Sequence, residues 1–358
     1  MSSLFFSAGL AALIAGVVTD LCVPPVERLA RFLQALDQPD DRKQQTRAIP
    51  RLGGVALFVG LSVAAVGVVV MGWDRGPMAG RSELVALAIG TLMVGLLGVV
   101  DDLVGATVAK KFLVEICAAF LVVQSGWSFQ VVSLPGLGYV HLGLWGDLVA
   151  VLWIVGVTNA INLLDGLDGL AGGVVAIMAS GLAIYSALIG NALTAIGMGA
   201  MAGACLGFLR HNWAPAKIFM GDSGSLTLGF LLGSLSVFSS LKAPTAVAML
   251  VPVLALGLPV MDTLVVMAVR FLGISRTSLV KRVAGMFQAD RKHLHHKLEE
   301  FSSNRRRIVV LLYLASLLFC AMALLVAATH NALLGVALVV TELVAVLLLR
   351  NLRRMGES

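Results

Sequence analysis

Charged side chains are few in this chain: Asp, Glu, Lys and Arg make up 13% of its 358 residues, hydrophobic residues 59%, and the mean hydropathy is +0.95. A soluble domain carries roughly 25% charged residues, so a soluble globular protein is excluded and a polytopic membrane protein is expected. Cysteine is also sparse. Cys22, Cys117, Cys205 and Cys320 are dispersed and form no CxxC pair, which argues against a disulfide framework or a zinc ribbon. No internal repeat is visible, which argues against a solenoid and more weakly against an inverted-repeat transporter. No basic stretch precedes the first apolar run and no small-residue cleavage site follows it, so residues 1–26 read as an uncleaved first span rather than a signal peptide.

A helical span needs roughly 20 apolar residues, and eleven runs approach that, at about 4–26, 53–72, 83–100, 111–126, 145–163, 170–189, 192–209, 226–241, 246–271, 307–328 and 332–349. The expected fold class is an all-α polytopic membrane protein of about eleven transmembrane helices, N-terminus outside and C-terminus cytoplasmic. Placing the N-terminus outside puts all of the 26 Lys and Arg on one face except Arg75, Arg81 and Lys242, and the positive-inside rule makes that face cytoplasmic. The same face then receives Asp101, Asp102, Asp165, Asp168, Asp222 and the cluster from His293 to His296, none of which was used to orient the chain. The net charge of +6 and pI of about 9.4 follow from this topology and from anionic lipid, and call for no nucleic acid.

The segment Asn159 to Gly173, NAINLLDGLDGLAGG, places Asn159, Asn162, Asp165 and Asp168 three residues apart at the end of an apolar run. That spacing aligns neighbouring side chains while the helix lasts. An oxygen-rich set of carboxylates and carboxamides is what a hard divalent ion such as Mg2+ takes, usually with phosphate completing its shell. Helix capping would need only one such residue. Asp101 and Asp102 end another apolar run, with Lys111 placed to meet phosphate as a point charge. Adjacent acids point about 100° apart on a helix, so they share a site only where the helix ends or unwinds. Gly221 to Ser225 form a small turn around Asp222, in which backbone N–H groups can face an anion while the acid takes its counter-ion. Phe219 reads either as interfacial packing or as a stacking face. In DRKHLHHKL at 290–298, His293 and His296 share a helical face but no third ligand closes a zinc site, and the basic surroundings suit phosphate or sugar. Asp20, Asp262 and Glu342 lie within spans and read as paired structural acids, with a lipid groove as the alternative for Asp262.

Together these segments resemble the polyprenyl-phosphate N-acetylhexosamine-1-phosphate transferase family. The resemblance runs from about 37 to 298 through DQPDDRKQQTRAIPRLGG at 37–54, VVDDLVGATVAKKF at 99–112, TNAINLLDGLDGLAGG at 158–173, PAKIFMGDSGSLTLGF at 215–230, LPVMDTL at 258–264 and ADRKHLHH at 289–296. The His-x-His-His form is closer to the branch that starts O-antigen, enterobacterial common antigen or teichoic acid linkage units than to the phospho-MurNAc-pentapeptide branch. The chain departs from the family pattern at Gln45, where His is frequent, at Glu115, where Gln is frequent, and in a long stretch from Ile274 to Phe287.

The resemblance implies a single membrane-embedded transferase domain, 1–358, whose cytoplasmic loops at about 27–52, 101–110, 163–170, 210–225 and 272–306 form the active site. It implies transfer of a sugar 1-phosphate from a UDP-N-acetylhexosamine to undecaprenyl phosphate, with release of UMP, at the inner membrane of a bacterium. Mg2+ is the implied cofactor, Mn2+ its alternative; a homodimer is left open. Asp222 and Asn162 would hold the metal with Asp165 beside them. Asp101 and Asp102 would sit at the acceptor phosphate as base or nucleophile. Lys111 would steer phosphate, Asp168 and Phe219 would contact uracil, and His293, His295 and His296 would bind sugar or pyrophosphate. The rival readings are a phospho-MurNAc-pentapeptide transferase, an ion-coupled transporter and a membrane scaffold; gathering the acids on one face goes against transport, which favours a site near the midplane.

Overall fold

Lipid leaves backbone polar groups without partners, so apolar runs must close their hydrogen bonds internally as helices. The computed structural model describes residues 2–38, 48–70, 80–134, 138–241, 246–273, 293–301 and 304–350. Among these residues the chain forms α1 (Ser2–Phe32), α2 (Gly53–Val70), α3 (Arg81–Val104), α4 (Val108–Gln124), α5 (Leu144–Leu164), α6 (Leu170–Leu188), α7 (Ala192–Asn212) and α8 (Gly221–Leu241). There follow α9 (Ala246–Ala255), α10 (Gly257–Gly273), α11 (Leu294–Phe301), α12 (Arg305–Thr329) and α13 (Ala332–Arg350). Two short antiparallel ribbons complete it, β1 (Leu36–Asp37) with β2 (Ile49–Pro50) and β3 (Val131–Leu134) with β4 (Gly138–His141). The chain is an all-α polytopic membrane protein.

Each expected apolar run coincides with a helix, the run 246–271 being shared by α9 and α10. Eight helices are long and apolar enough to cross a membrane, and α9 with α10, bent by 82°, would make a ninth span. The α2 and α4 helices fall short on length, so the described residues give eight or nine spans of full length where eleven runs were expected. Expected loops are partly helical, 272–306 among them, which holds α11. The α1 helix runs to Phe32 because Val23, Val26 and Ala30 continue its buried stripe; Asp101 and Asp102 occupy the last turn of α3; and Gly221 to Ser225 form the first turn of α8.

The α8 helix is the axis of the bundle, buried along nearly all of its length and packed by α5, α3, α2 and α7. Its near neighbours reach it through glycine. A Cβ on Gly98 of α3 would lie 2.5 Å from the Asp222 carbonyl oxygen, and one on Gly54 of α2 would overlap the Gly224 backbone. On the far side, Gly199, Gly203 and Gly207 let α7 lie against the backbone of α1 at Ala8, Ala12 and Gly16, the small-residue contact by which helices associate in lipid. Asp20 of α1 joins that contact, 2.6 Å from Arg210 and 2.9 Å from His211.

The bend between α9 and α10 has a local cause. Pro259, in the first turn of α10, has no N–H for the Ala255 carbonyl four residues earlier, and the Cys320 thiol donates to that oxygen at 3.8 Å instead. Pro252 likewise leaves the Ala248 carbonyl within α9, which accepts the Ser240 hydroxyl at 3.0 Å. Glu342 of α13 is wholly buried against Gly257, where α10 begins.

Candidate active site

The site is built at the ends of α3, α4, α5 and α8. Gly105, at φ 78°, stops α3 and its N–H returns to Asp101 O, leaving Asp101 and Asp102 in the closing turn. Although they diverge around the helix, both acids meet the start of α8. Asp102 is buried and its two oxygens accept the Asp222 and Ser223 N–H groups at 2.9 and 3.1 Å. It thereby caps α8 from another helix, satisfying orphan donors at the positive end of the dipole. Gly221, at φ 70°, is required here: it begins α8 in a left-handed conformation, and a side chain there would collide with the Asp102 carboxylate.

Asp101 accepts the Ala106 N–H at 2.7 Å and pairs with Lys111 at 2.9 Å. Lys111, in the first turn of α4, also pairs with Asp222, so one ammonium bridges two carboxylates that are 121 residues apart in sequence. Among the described residues, Asp101, Asp102 and Asp222 bring carboxylate oxygens within 4.8 Å of one another. Three hard oxygen donors around a position already attracting a cation suit a divalent ion. The α5 ladder adjoins them. Asn162 donates to Ser225 Oγ at 2.9 Å, one turn beyond Asp222, which leaves its carbonyl oxygen as the atom able to serve a cation. Asn159, a turn deeper, donates to buried Glu115 of α4.

Asp165 closes α5 and lies in the turn before α6. Burial, then the charges of Asp222, Asp102 and Asp168, pushes its carboxyl up to about 7, with Arg51 acting in the opposite sense. Such a group exchanges a proton near neutral pH. Asp168 in the same turn accepts the Ala216 N–H at 3.0 Å and so faces the segment that carries half-buried Phe219. Asn212 ties this arrangement together, accepting the Gly169 N–H at 3.0 Å and donating to Ile218 O at 2.9 Å. The β1–β2 ribbon docks there as well: Phe219 N–H reaches Pro50 O at 2.8 Å, and the Phe219 and Met220 carbonyls accept from Gly53 and Gly54 at the start of α2.

The histidines approach from α11. His295 is buried with its ring against Gly166 in the Asp165 turn, and both ring nitrogens are without hydrogen-bond partners among the described residues. Burial first and His296 second push its imidazole down to about 3, so it is neutral at working pH. His293 and His296 do not share a face as the spacing suggested: His293 precedes α11 and turns to Asp262, while His296 lies 3.2 Å from Glu299. Asp290 and the stretch Ile274 to Phe287 lie outside the described residues, as does Gln45.

The expected site residues therefore fall into two joined groups. Asp101, Asp102, Lys111, Asp222 and Asn162 form the acid and lysine centre; Asp165, Asp168, Phe219 and His295 line the adjoining turn, while His293 and His296 pair with Asp262 and Glu299. Glu115 and Asn212 were not among them. Glu115 carries a signal, standing four residues after Lys111 on the same helix face. Asn212 carries none, since a buried amide bridging two backbones looks like any polar residue at a helix end.

Comparison with known proteins identifies the family. Residues 84–240 match the family model described as glycosyl transferase family 4, a span from the start of α3 to the end of α8. The chain is 35% identical over 310 residues to a probable undecaprenyl-phosphate N-acetylglucosaminyl 1-phosphate transferase of Bacillus subtilis, covering 86% of this chain and 82% of that one. It is 33% identical over 323 residues to a decaprenyl-phosphate N-acetylglucosaminephosphotransferase of Mycobacterium tuberculosis, covering 85% and 79%. A phospho-N-acetylmuramoyl-pentapeptide-transferase of Desulforamulus reducens is 31% identical over 339 residues, covering 90% and 95%. Likeness of this extent, on the segments that build the site, means that the chain belongs to glycosyl transferase family 4.

Proposed function

We propose that this protein transfers N-acetylhexosamine 1-phosphate from a UDP-sugar to a polyprenyl phosphate, undecaprenyl phosphate in the first instance, and releases UMP. The observation that carries the reading is the grouping of Asp101, Asp102 and Asp222 around Lys111 at the ends of apolar helices. Phosphoryl transfer between two anions depends chiefly on positioning and charge neutralisation, and this grouping supplies both at the edge of the bundle. The relatives named for N-acetylglucosamine transfer, at 35% and 33% identity, support that donor over the MurNAc-pentapeptide of the 31% relative.

In this reading Asp222 and Asn162 would hold a Mg2+ ion, which would supply positive charge to the donor diphosphate. Lys111, lying between Asp101 and Asp222, orients phosphate beside them. Asp102 holds the start of α8 in place, its oxygens being engaged by two backbone donors. Asp101, the more open of the pair, serves the acceptor phosphate. Asp165 accepts or returns a proton beside it, Asp168 and Phe219 receive the uracil, and His293, His295 and His296 contact the sugar or pyrophosphate. The 1–358 chain acts as one embedded domain, with the site at the cytoplasmic face of the bacterial inner membrane, where the charge asymmetry of its loops puts it.

The test is UMP release by the purified protein in detergent, with undecaprenyl phosphate and a panel of UDP-sugars that includes UDP-MurNAc-pentapeptide. UMP that needs both lipid and Mg2+, is abolished by EDTA and is fastest with UDP-N-acetylglucosamine is the expected result. Preference for the pentapeptide donor would move the protein to the other branch. Folded protein that releases no UMP from any donor would overturn the transferase reading.

A further inference from the structure

Asp262 lies in α10 with little exposure, and two segments distant in sequence converge on it. One oxygen is 2.9 Å from His293 Nδ1. The other accepts the Leu294 backbone N–H at 3.0 Å and Arg350 Nη1, from the end of α13, at 2.8 Å. An ionised carboxylate only accepts, so His293 carries a proton on Nδ1 and presents Nε2 as its working atom. That Nε2 is buried and without a hydrogen-bond partner among the described residues. The His293 ring lies 6.3 Å from that of His295 and within 14° of parallel, and His295 rests on Gly166 in the Asp165 turn.

A buried ion pair is an inefficient way to fasten two helices. Desolvating the charges costs about as much as their attraction returns, and apolar packing of the same volume is often neutral or better. What a carboxylate supplies and a leucine cannot is a fixed tautomer and a fixed ring direction. We infer that Asp262 is a positioning residue that holds His293 with Nε2 toward the nucleotide-sugar, and that Arg350 holds Asp262 in turn, coupling the motif-free α13 to the site. The inference rests on the reading of His293 as a substrate-contacting group.

The experiment is a double-mutant cycle on the full chain, made of wild type, Asp262→Asn, His293→Gln and the double variant. UDP-N-acetylglucosamine and undecaprenyl phosphate are varied separately, and the thermal midpoint is recorded for each protein. Asn keeps the volume and can still accept from Leu294 and Arg350, but it offers an N–H to Nδ1 and so moves the ring proton to Nε2. The expected result is a donor KM raised about ten- to a hundredfold, the factor for one charge-assisted hydrogen bond, with the acceptor KM unchanged. In the His293→Gln background, Asp262→Asn should cost nothing further, because the residue acts through His293. Nitrogen NMR of histidine-labelled protein should show the His293 proton on Nδ1 in the wild type and on Nε2 in Asp262→Asn.

A wild-type donor KM in Asp262→Asn, an equal loss in both backgrounds, or an unchanged His293 tautomer would each overturn the inference. Should Asp262→Asn fail to fold, Arg350→Gln takes its place in the cycle. It should raise the donor KM a few-fold in the wild-type background and not at all beside His293→Gln, and proportional losses in both would overturn the coupling. A fully active His293→Gln would instead remove the assignment of His293, and with it the inference, while leaving the transferase reading intact.

Discussion

Asp101 and Asp102 are neighbours in sequence with unlike surroundings. Asp102 is buried and capped onto α8, whereas Asp101 sits in an open ion pair with Lys111. Replacing Asp102 by Ala should therefore lower stability by about 0.5–2 kcal/mol, the usual cost of a lost cap, as well as displace Asp222. Asp222→Ala should leave a folded protein that has lost about a hundredfold or more of its UMP release, the loss typical of removing one preorganised charge-stabilising group; turnover beside size-exclusion and thermal profiles checks this. His295 gives a pH signature. Its imidazole is near 3 when folded and near 6.5 when unfolded. Between these values the unfolded chain takes up a proton that the folded chain refuses, so stability rises with pH across this window and is lost as pH falls from about 6.5. Thermal midpoints in detergent from pH 4 to 7 should show that slope in the wild type and a shallower one in His295→Gln. The identities of these residues were legible in the sequence because phosphate and cation chemistry draws on few residue types. Their division of labour was not, since it depends on which backbone N–H groups another helix brings alongside.

At the scale of elements, the sequence located every helix that fills an apolar run, because such a run in lipid has few alternatives, but it misplaced their ends and left α11 inside an expected loop. Asp101 and Asp102 looked like loop residues since two adjacent charges ordinarily leave the bilayer; α8 supplies the donors that let α3 continue to Val104. The bend at Leu256 was hidden as well, because Pro259 sits inside an unbroken apolar run and the Cys320 thiol that meets the freed Ala255 carbonyl comes from a different helix. The glycines on α2 and α3 make a test at this scale. Gly98→Ala places a methyl group against Asp222 O and Ser223 Cα, both backbone atoms that cannot swing aside. We expect overpacking of about 1–3 kcal/mol and a loss of UMP release larger than the fall in thermal midpoint accounts for, since the strain falls on the turn that carries Asp222. Full activity in a destabilised Gly98→Ala would mean that the start of α8 tolerates displacement.

At the scale of the whole molecule, motifs revealed the family and the helix ends at which its acids gather, while the last helices were mute because apolar runs without motifs carry no register. The structure supplies it through Arg350 on Asp262 and Glu342 at the start of α10. Neither Glu342 oxygen has a hydrogen-bond partner among the described residues, and nothing joins it to the acid centre. Glu342→Gln should therefore leave UMP release within about twofold of the wild type, a difference of about 0.4 kcal/mol; a folded but inactive variant would place that end of the bundle in the reaction. Orientation can be read separately, since a reporter fused after Ser358 should be active only if that end is cytoplasmic. One last property follows from Lys111 standing between Asp101 and Asp222, with Asp102 close behind. Three formal negative charges face one positive charge, so a bare diphosphate meets net repulsion and a cation alone meets attraction. The order of addition is then set by electrostatics, and velocity should track the concentration of the cation–nucleotide complex rather than the total concentration of either partner.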